Sequence, residues 1–245
     1  MTFHLETVVK RLYVRVLRCA RAFAGRLGLL KLLDAAASGH RWAHWLKSLF
    51  AIRDIDGLIE LDVPWWTYGA IDVADAFLAA HPDARVFEFG SGASTVWLAR
   101  RAAAVISVEH DRDWHALVSS RLAGLACKAS TQLQLVEALQ AGGNTNSRYN
   151  SGKPGFADQS FETYATEILR QEGLFDLIAI DGRARVGCLE HAIGKLAPGG
   201  IIIFDNSGRA RYSEAITTAG LDIRRYRGLT PSLPYFEETS ILTHR

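Results

Sequence analysis

The stretch Val86-Phe87-Glu88-Phe89-Gly90-Ser91-Gly92-Ala93-Ser94-Thr95 gathers one carboxylate, two glycines and three hydroxyls at a single turn. It reads as a strand end, a turn and a helix start. Gly90 and Gly92 let the chain turn tightly and let a ligand approach where a Cβ would stand. The helix start after Gly92 offers free N–H groups and partial positive charge. Glu88 offers the opposite charge. Donors for a carboxylate and an acid for an amine together suit a zwitterionic amino acid. The same acid would repel a pyrophosphate, and Thr95 stands where a dinucleotide fingerprint has its last glycine.

Further acids recur in similar settings. Val105-Ile106-Ser107-Val108-Glu109-His110-Asp111 ends a second strand on Glu109, where a carboxylate can accept bonds from both ribose hydroxyls. Nicotinamide sites share that feature, so Glu109 alone does not choose between cofactors. Phe175–Gly182 ends on Asp181, and Leu196–Asn206 ends on Asp205-Asn206. The methionine tail of S-adenosylmethionine is a zwitterion on a nucleoside, the combination that Glu88 and Glu109 would accept. A phosphate loop is absent, since Lys153 is followed by Pro154, and there is no G-x-S-x-G elbow.

Alternating strands and helices must carry these residues. Strands are predicted at 85–89, 104–108, 133–136, 176–180, 201–204, 221–226 and 239–242. Helices are predicted at 94–101, 112–124, 161–170, 185–196 and 213–219, with another through Ile71–Leu78 ending before Pro82. Continuous apolar strands such as Ile201–Phe204 imply a sheet covered on both faces. The alternation implies parallel βαβ units, hence a doubly wound α/β fold. Residues 141–160, rich in Gly, Asn and Ser, form a long loop read as a substrate lid.

Residues 1–60 read as a helical extension and 61–245 as the main domain. A helix is predicted at 4–33, and a second through Trp42, Trp45, Leu46 and Phe50. Residues 1–50 carry nine basic side chains against Glu6 and Asp34, although the whole chain is only +2. Two readings stand for this segment: packing on the main domain or on a second copy of the chain, or a basic amphipathic helix on an anionic membrane surface. The main domain is mildly acidic, which argues against nucleic acid as a partner. Three cysteines without a C-x-x-C pair, and no signal-like apolar run, point to a cytoplasmic protein, in one reading peripheral to the inner face of a membrane.

In this order, E-F-G-S-G-x-S-T, V-I-S-V-E-H-D, F-D-L-I-x-I-D-G and L-x-P-G-G-I-I-I-F-D-N resemble the class I S-adenosylmethionine-dependent methyltransferases over residues 64–245. The resemblance implies a seven-stranded, mostly parallel sheet whose last strand, Thr239–Leu242, runs antiparallel. It puts Glu88, Gly90 and Gly92 at the methionine part, with Ser91, Ser94 and Thr95 in the same turn. Glu109 would lie at the ribose, Glu137 near adenine, and Asp181 near the sulfonium and the acceptor, with His110 a further cofactor contact. Asp181, His110 and Tyr212 are the candidate general bases. The cation-dependent O-methyltransferases carry comparable acids, which would make Asp181, Asp205 and Asn206 ligands of Mg²⁺. Otherwise Asp205 and Asn206 cap the next helix. Arg183 and Arg185 would bind an anionic substrate group or stand in solvent. Trp65, Trp66 and Tyr68 would line the cofactor entrance or pack on the core. The expected activity is methyl transfer to a small-molecule hydroxyl. Competing readings are a nicotinamide-dependent oxidoreductase and a non-catalytic protein that binds a nucleoside ligand or scaffolds a membrane complex.

Overall fold

The computed structural model describes residues 29–51, 54–141 and 147–245. Seven strands form one sheet: β1 (Arg85–Phe89), β2 (Ala104–Glu109), β3 (Ser130–Leu135), β4 (Phe175–Ile180), β5 (Leu196–Asp205), β6 (Asp222–Gly228) and β7 (Glu237–Thr243). Their order is β3-β2-β1-β4-β5-β7-β6. The first five are mutually parallel. β7 is antiparallel to β5 and to β6, between which it lies, as expected of the last strand.

The described helices are α1 (Leu29–Ala37), α2 (Arg41–Ser48), α3 (Ile55–Glu60), α4 (Tyr68–Ala80), α5 (Ala93–Ala99), α6 (Arg112–Ala123), α7 (Glu162–Thr166), α8 (Arg185–Ile193) and α9 (Ala210–Thr218). None is long and apolar enough to cross a membrane. Strand alternation divides the core in two. Val86, Val105, Leu177 and Ile203 face one side, with Trp66 and Trp97. Phe87, Phe89, Ile178 and Phe204 face the other, with Phe161 and Tyr164. Glu88 shares a face with Val86 and pairs in register with Ser107 on β2. That parity turns its carboxyl toward α5.

Several boundaries differ from expectation. α8 stops at Ile193 because Leu196 already pairs with Phe175, and β5 runs on through Pro198-Gly199-Gly200 across a register shift. The helix expected at 161–170 is α7 followed by a 3₁₀ turn, Glu167–Arg170. α3 has no counterpart in the sequence reading. Most of the helix expected at 4–33 lies outside the described residues. The second helix is present as α2 and is tied to the loop before β7. Its Trp45 Nε1 donates to the Leu233 carbonyl (2.9 Å), and Ser48 accepts at Oγ from the Ser232 N–H (2.9 Å) and at its carbonyl from Ser232 Oγ (2.8 Å).

Candidate active site

A cleft of about 500 Å³ opens at the C-terminal ends of β1, β2 and β4. Ser91, Gly92, Glu109, His110, Trp114 and Asp181 line it. Asp54, Ile55, Leu58 and Trp65 form its wall from the N-terminal side, and Lys153 comes from the 141–160 loop. Strand ends at the reversal of strand order are where a doubly wound sheet leaves room for a ligand.

The glycine turn is shaped by its neighbours. Gly90 has φ +107°, and a Cβ there would lie 3.1 Å from the Gly182 backbone nitrogen. The turns after β1 and β4 therefore touch, and only glycine fits Gly90. Gly92 is extended, with ordinary room for a Cβ near Trp114 (3.7 Å), so its small size serves the open cleft rather than the turn.

Glu88 does not line the cleft. Its side chain is fully buried and accepts hydrogen bonds from Ser94 Oγ, Thr95 Oγ1 (2.7 Å) and Ser107 Oγ (2.5 Å). Thr95 Oγ1 also accepts from the Gly92 N–H at 3.0 Å. The oxygens expected to meet a ligand amine bind three hydroxyls beneath the turn. Burial drives its pKa up to about 7, against the pull of those hydroxyls.

Glu109 does line the cleft. Oε1 accepts from the N–H groups of His110 (2.7 Å) and Asp111 (2.9 Å), and Oε2 accepts from Ser91 Oγ (2.8 Å). Burial pushes its pKa up, but His110, the Asp111 N–H and Ser91 together hold it below the ordinary carboxylate range. His110 Nδ1 lies 2.7 Å from Glu109 Oε1, while its Nε2 faces Arg183 Nε at 3.3 Å. Nε2 thus accepts from Arg183, and Nδ1 is the nitrogen turned to Glu109. Trp114, for which the sequence offers no signal beyond a place in the helix after β2, donates from Nε1 to the Ser91 carbonyl (2.8 Å) and braces the turn.

Asp181 reaches the cleft from the end of β4, and Arg185 lies behind it. Arg185 Nη2 donates to Asp181 Oδ1 (2.8 Å), Nη1 donates to the Asp205 carbonyl, and Nη1 lies 3.6 Å from Asp205 Oδ2. Thr239 Oγ1 donates to Asp205 Oδ1 (2.8 Å). Burial raises both carboxyls, Asp205 to about 8, with Asp181 repelling it and Arg185 drawing it back. The expected Mg²⁺ site at Asp181, Asp205 and Asn206 finds no support in this arrangement. A buried guanidinium already stands between the two acids. Among the described residues no group of three or more His, Cys, Asp or Glu could hold a metal ion.

The remaining expectations divide. Glu137 stands away from the cleft, exposed and paired with Arg112 (2.5 Å). Trp65 lines the cleft. Trp66 is buried edge-on against Trp97, and Tyr68 is bonded to His44 (2.8 Å). Tyr212 packs on Phe204 and borders a neighbouring cavity.

Residues 87–207 match the family described as a methyltransferase domain. No curated protein matches the sequence. Among solved structures, an O-methyltransferase from Bacillus cereus in complex with SAH is similar at 15% identity, TM-score 0.54, over 78% of this chain and 90% of that one. Cofactor-bound Rv0187 from MTB is similar at 19% identity, TM-score 0.51, over 78% and 88%. A methyltransferase-like protein from Silicibacter pomeroyi is 26% identical, TM-score 0.46, over 70% and 86%. These likenesses concern the fold, and the matched segment runs from β1 through the end of β5. Residues 87–207 thus form a methyltransferase domain, on a sheet of the class I S-adenosylmethionine-dependent type.

Proposed function

We propose that the protein methylates a hydroxyl oxygen of a small molecule in the cleft above β1, β2 and β4, without a divalent metal. The observation that carries this reading is Glu109. It is an ionised acid held by two backbone N–H groups and Ser91, presented at the end of β2 into a cleft large enough for a nucleoside ligand. In this reading Glu109 binds the ribose diol, the Gly90–Gly92 turn lies against the amino-acid part, and Trp65 and Trp114 flank the ligand. Glu88 supports the turn from below. Residues 61–245 are the methyltransferase unit, and residues 1–60 are its helical extension.

S-adenosylmethionine, when bound, supplies a methyl group already activated by its sulfonium. The chain's residues then have to orient the acceptor, exclude water and take up one proton. Asp181 would take the proton that the acceptor hydroxyl gives up on methylation. Burial raises the proton affinity of Asp181, and Arg185 fixes its orientation. His110 has both ring nitrogens engaged by Glu109 and Arg183, which favours a positioning part for it.

Calorimetric titration with S-adenosylmethionine tests the assignment. Saturable one-to-one binding is expected, followed by methyl transfer to hydroxyl compounds that continues in chelator. No binding heat from the full chain would overturn it.

A further inference from the structure

A second cavity, of about 410 Å³, adjoins the cleft and shares Lys153, Gly182 and Arg183 with it. Six cations line it: Arg148, Lys153, Arg183, Arg185, Arg209 and Arg211; no Asp or Glu does. Some of that charge is answered within the protein. Arg148 pairs with Glu190 (2.5 Å) and Arg185 with Asp181 (2.8 Å), while Arg209 comes no nearer to Glu237 than 4.0 Å. Among the described residues, neither Arg183 nor Arg211 makes an ion pair. Arg211 donates to the Gly152 carbonyl (3.1 Å) and leans on the Tyr212 ring. Arg183 donates to His110 and stacks 5.2 Å over Phe156.

Arg183 is the informative member. It is partly buried, on the wall common to both cavities, and no carboxylate pairs with it directly: Glu109 acts on it only from behind His110. Taking a guanidinium out of water without a counter-anion is costly, and an anion arriving from solution would offset that cost. Two helix starts add positive potential. α8 begins after Ala184 and α9 after Arg209, neither has a side-chain cap, and both starts contribute to the cavity lining. Planar guanidinium forks at Arg183 and Arg211 match a carboxylate or phosphate. The cavity exceeds the size of one anion, and it joins the cleft at Gly182, next to Asp181.

We propose that this cavity is the acceptor subsite, and that the acceptor is a hydroxyl-bearing small molecule with an oxyanion, phosphate ester or carboxylate, held by Arg183 and Arg211. This rests on the methyltransferase reading above. The acceptor spans the two cavities, with its hydroxyl at Asp181 and its anion among the arginines.

The test is calorimetric titration of the full chain, saturated with S-adenosylhomocysteine, using inorganic phosphate, then acetate, with chloride at matched ionic strength as control. Saturable binding of phosphate or acetate but not chloride is expected. Phosphate alone points to a phosphate ester and acetate alone to a carboxylate. R183Q is expected to weaken that binding about tenfold or more, the usual worth of a charge-assisted hydrogen bond. R211Q replaces an exposed side chain, so it tests the site without burdening the fold, and a several-fold loss is expected. No saturable binding of either anion, or binding unchanged in both variants, overturns the proposal. Binding of S-adenosylhomocysteine is gauged separately. If it binds and neither anion does, the acceptor assignment falls alone. If it does not bind, the methyltransferase reading falls and takes this assignment with it.

Discussion

Ser91 Oγ donates to Glu109 Oε2 at 2.8 Å, joining the turn after β1 to the acid that ends β2. Glu109 keeps two backbone donors on its other oxygen, so Ser91 adjusts its aim while the N–H groups of His110 and Asp111 hold it. Ser91→Ala should therefore weaken S-adenosylmethionine binding only several-fold. Glu109→Ala removes both proposed acceptor bonds to the ribose and should weaken it roughly 100-fold or more, at about 1.5–3 kcal/mol for each bond to a charged group. Calorimetry on the two variants decides. Equal affinity in Glu109→Ala and the parent would remove Glu109 from the ligand site.

Glu88 predicts a pH dependence of stability. Its pKa is about 7 in the folded protein, above the ordinary 4.5, because burial favours the neutral form. The folded state thus holds a proton that the unfolded chain releases earlier. The stabilisation is fully present below pH 4.5 and is lost as pH rises through 7, a change on the order of 3 kcal/mol. In Glu88→Gln this contribution is absent. Denaturant unfolding at pH 4.5, 6 and 7.5 should show the parent losing stability relative to the variant as pH rises. A constant difference across that range would mean that Glu88 is charged throughout in the fold.

Much of this architecture was legible in the sequence because strand interiors are read from apolar continuity. Leu177–Ile180 and Ile201–Phe204 could hardly be anything else in a sheet covered on both faces. Glu109 was legible for a similar reason, as an acid that directly ends an apolar strand. Glu88 carries the same signal, yet its setting depends on parity and on hydroxyls from α5 and β2 that only the folded chain brings together. Arg185 was visible as a cation but not as the partner of two acids, since Asp205 lies 20 residues further along and arrives through β5. Glu137 was placed by the resemblance, and nothing in the sequence announces its exposed pairing with Arg112.

The Arg185 bridge predicts indifference to divalent metal. Asp181 and Asp205 have their opposite charge built in, and Thr239 occupies one oxygen of Asp205. Unfolding temperature and methyl transfer should be the same with Mg²⁺ and with chelator. Arg185→Met leaves the buried Asp205 carboxyl without its cation, beside the partly exposed Asp181, and should cost about 3 kcal/mol, the low end of the penalty for breaking a buried ion pair from one side. A rise in melting temperature of the parent with Mg²⁺ would restore the metal reading.

The contact between the turns after β1 and β4 makes Gly182 intolerant of any side chain. A Cβ at Gly182 would collide with the Tyr164 hydroxyl and would lie 2.9 Å from the Gly90 nitrogen and 3.0 Å from the Phe89 carbonyl carbon. The hydroxyl belongs to a fully buried ring that cannot swing away, so Gly182→Ala must push the two turns apart. Overpacking of this kind costs about 1–3 kcal/mol. The same displacement moves Gly90 and Asp181, so cofactor affinity should fall together with stability. Removing the hydroxyl in Gly182→Ala/Tyr164→Phe relieves the side-chain collision but not the two backbone ones. Recovery should therefore be partial, read as unfolding free energy and calorimetric affinity for each variant. Full recovery would mean that the backbone turns do not bear on one another, and Gly182→Ala without any loss would mean that the two turns are not in contact at all.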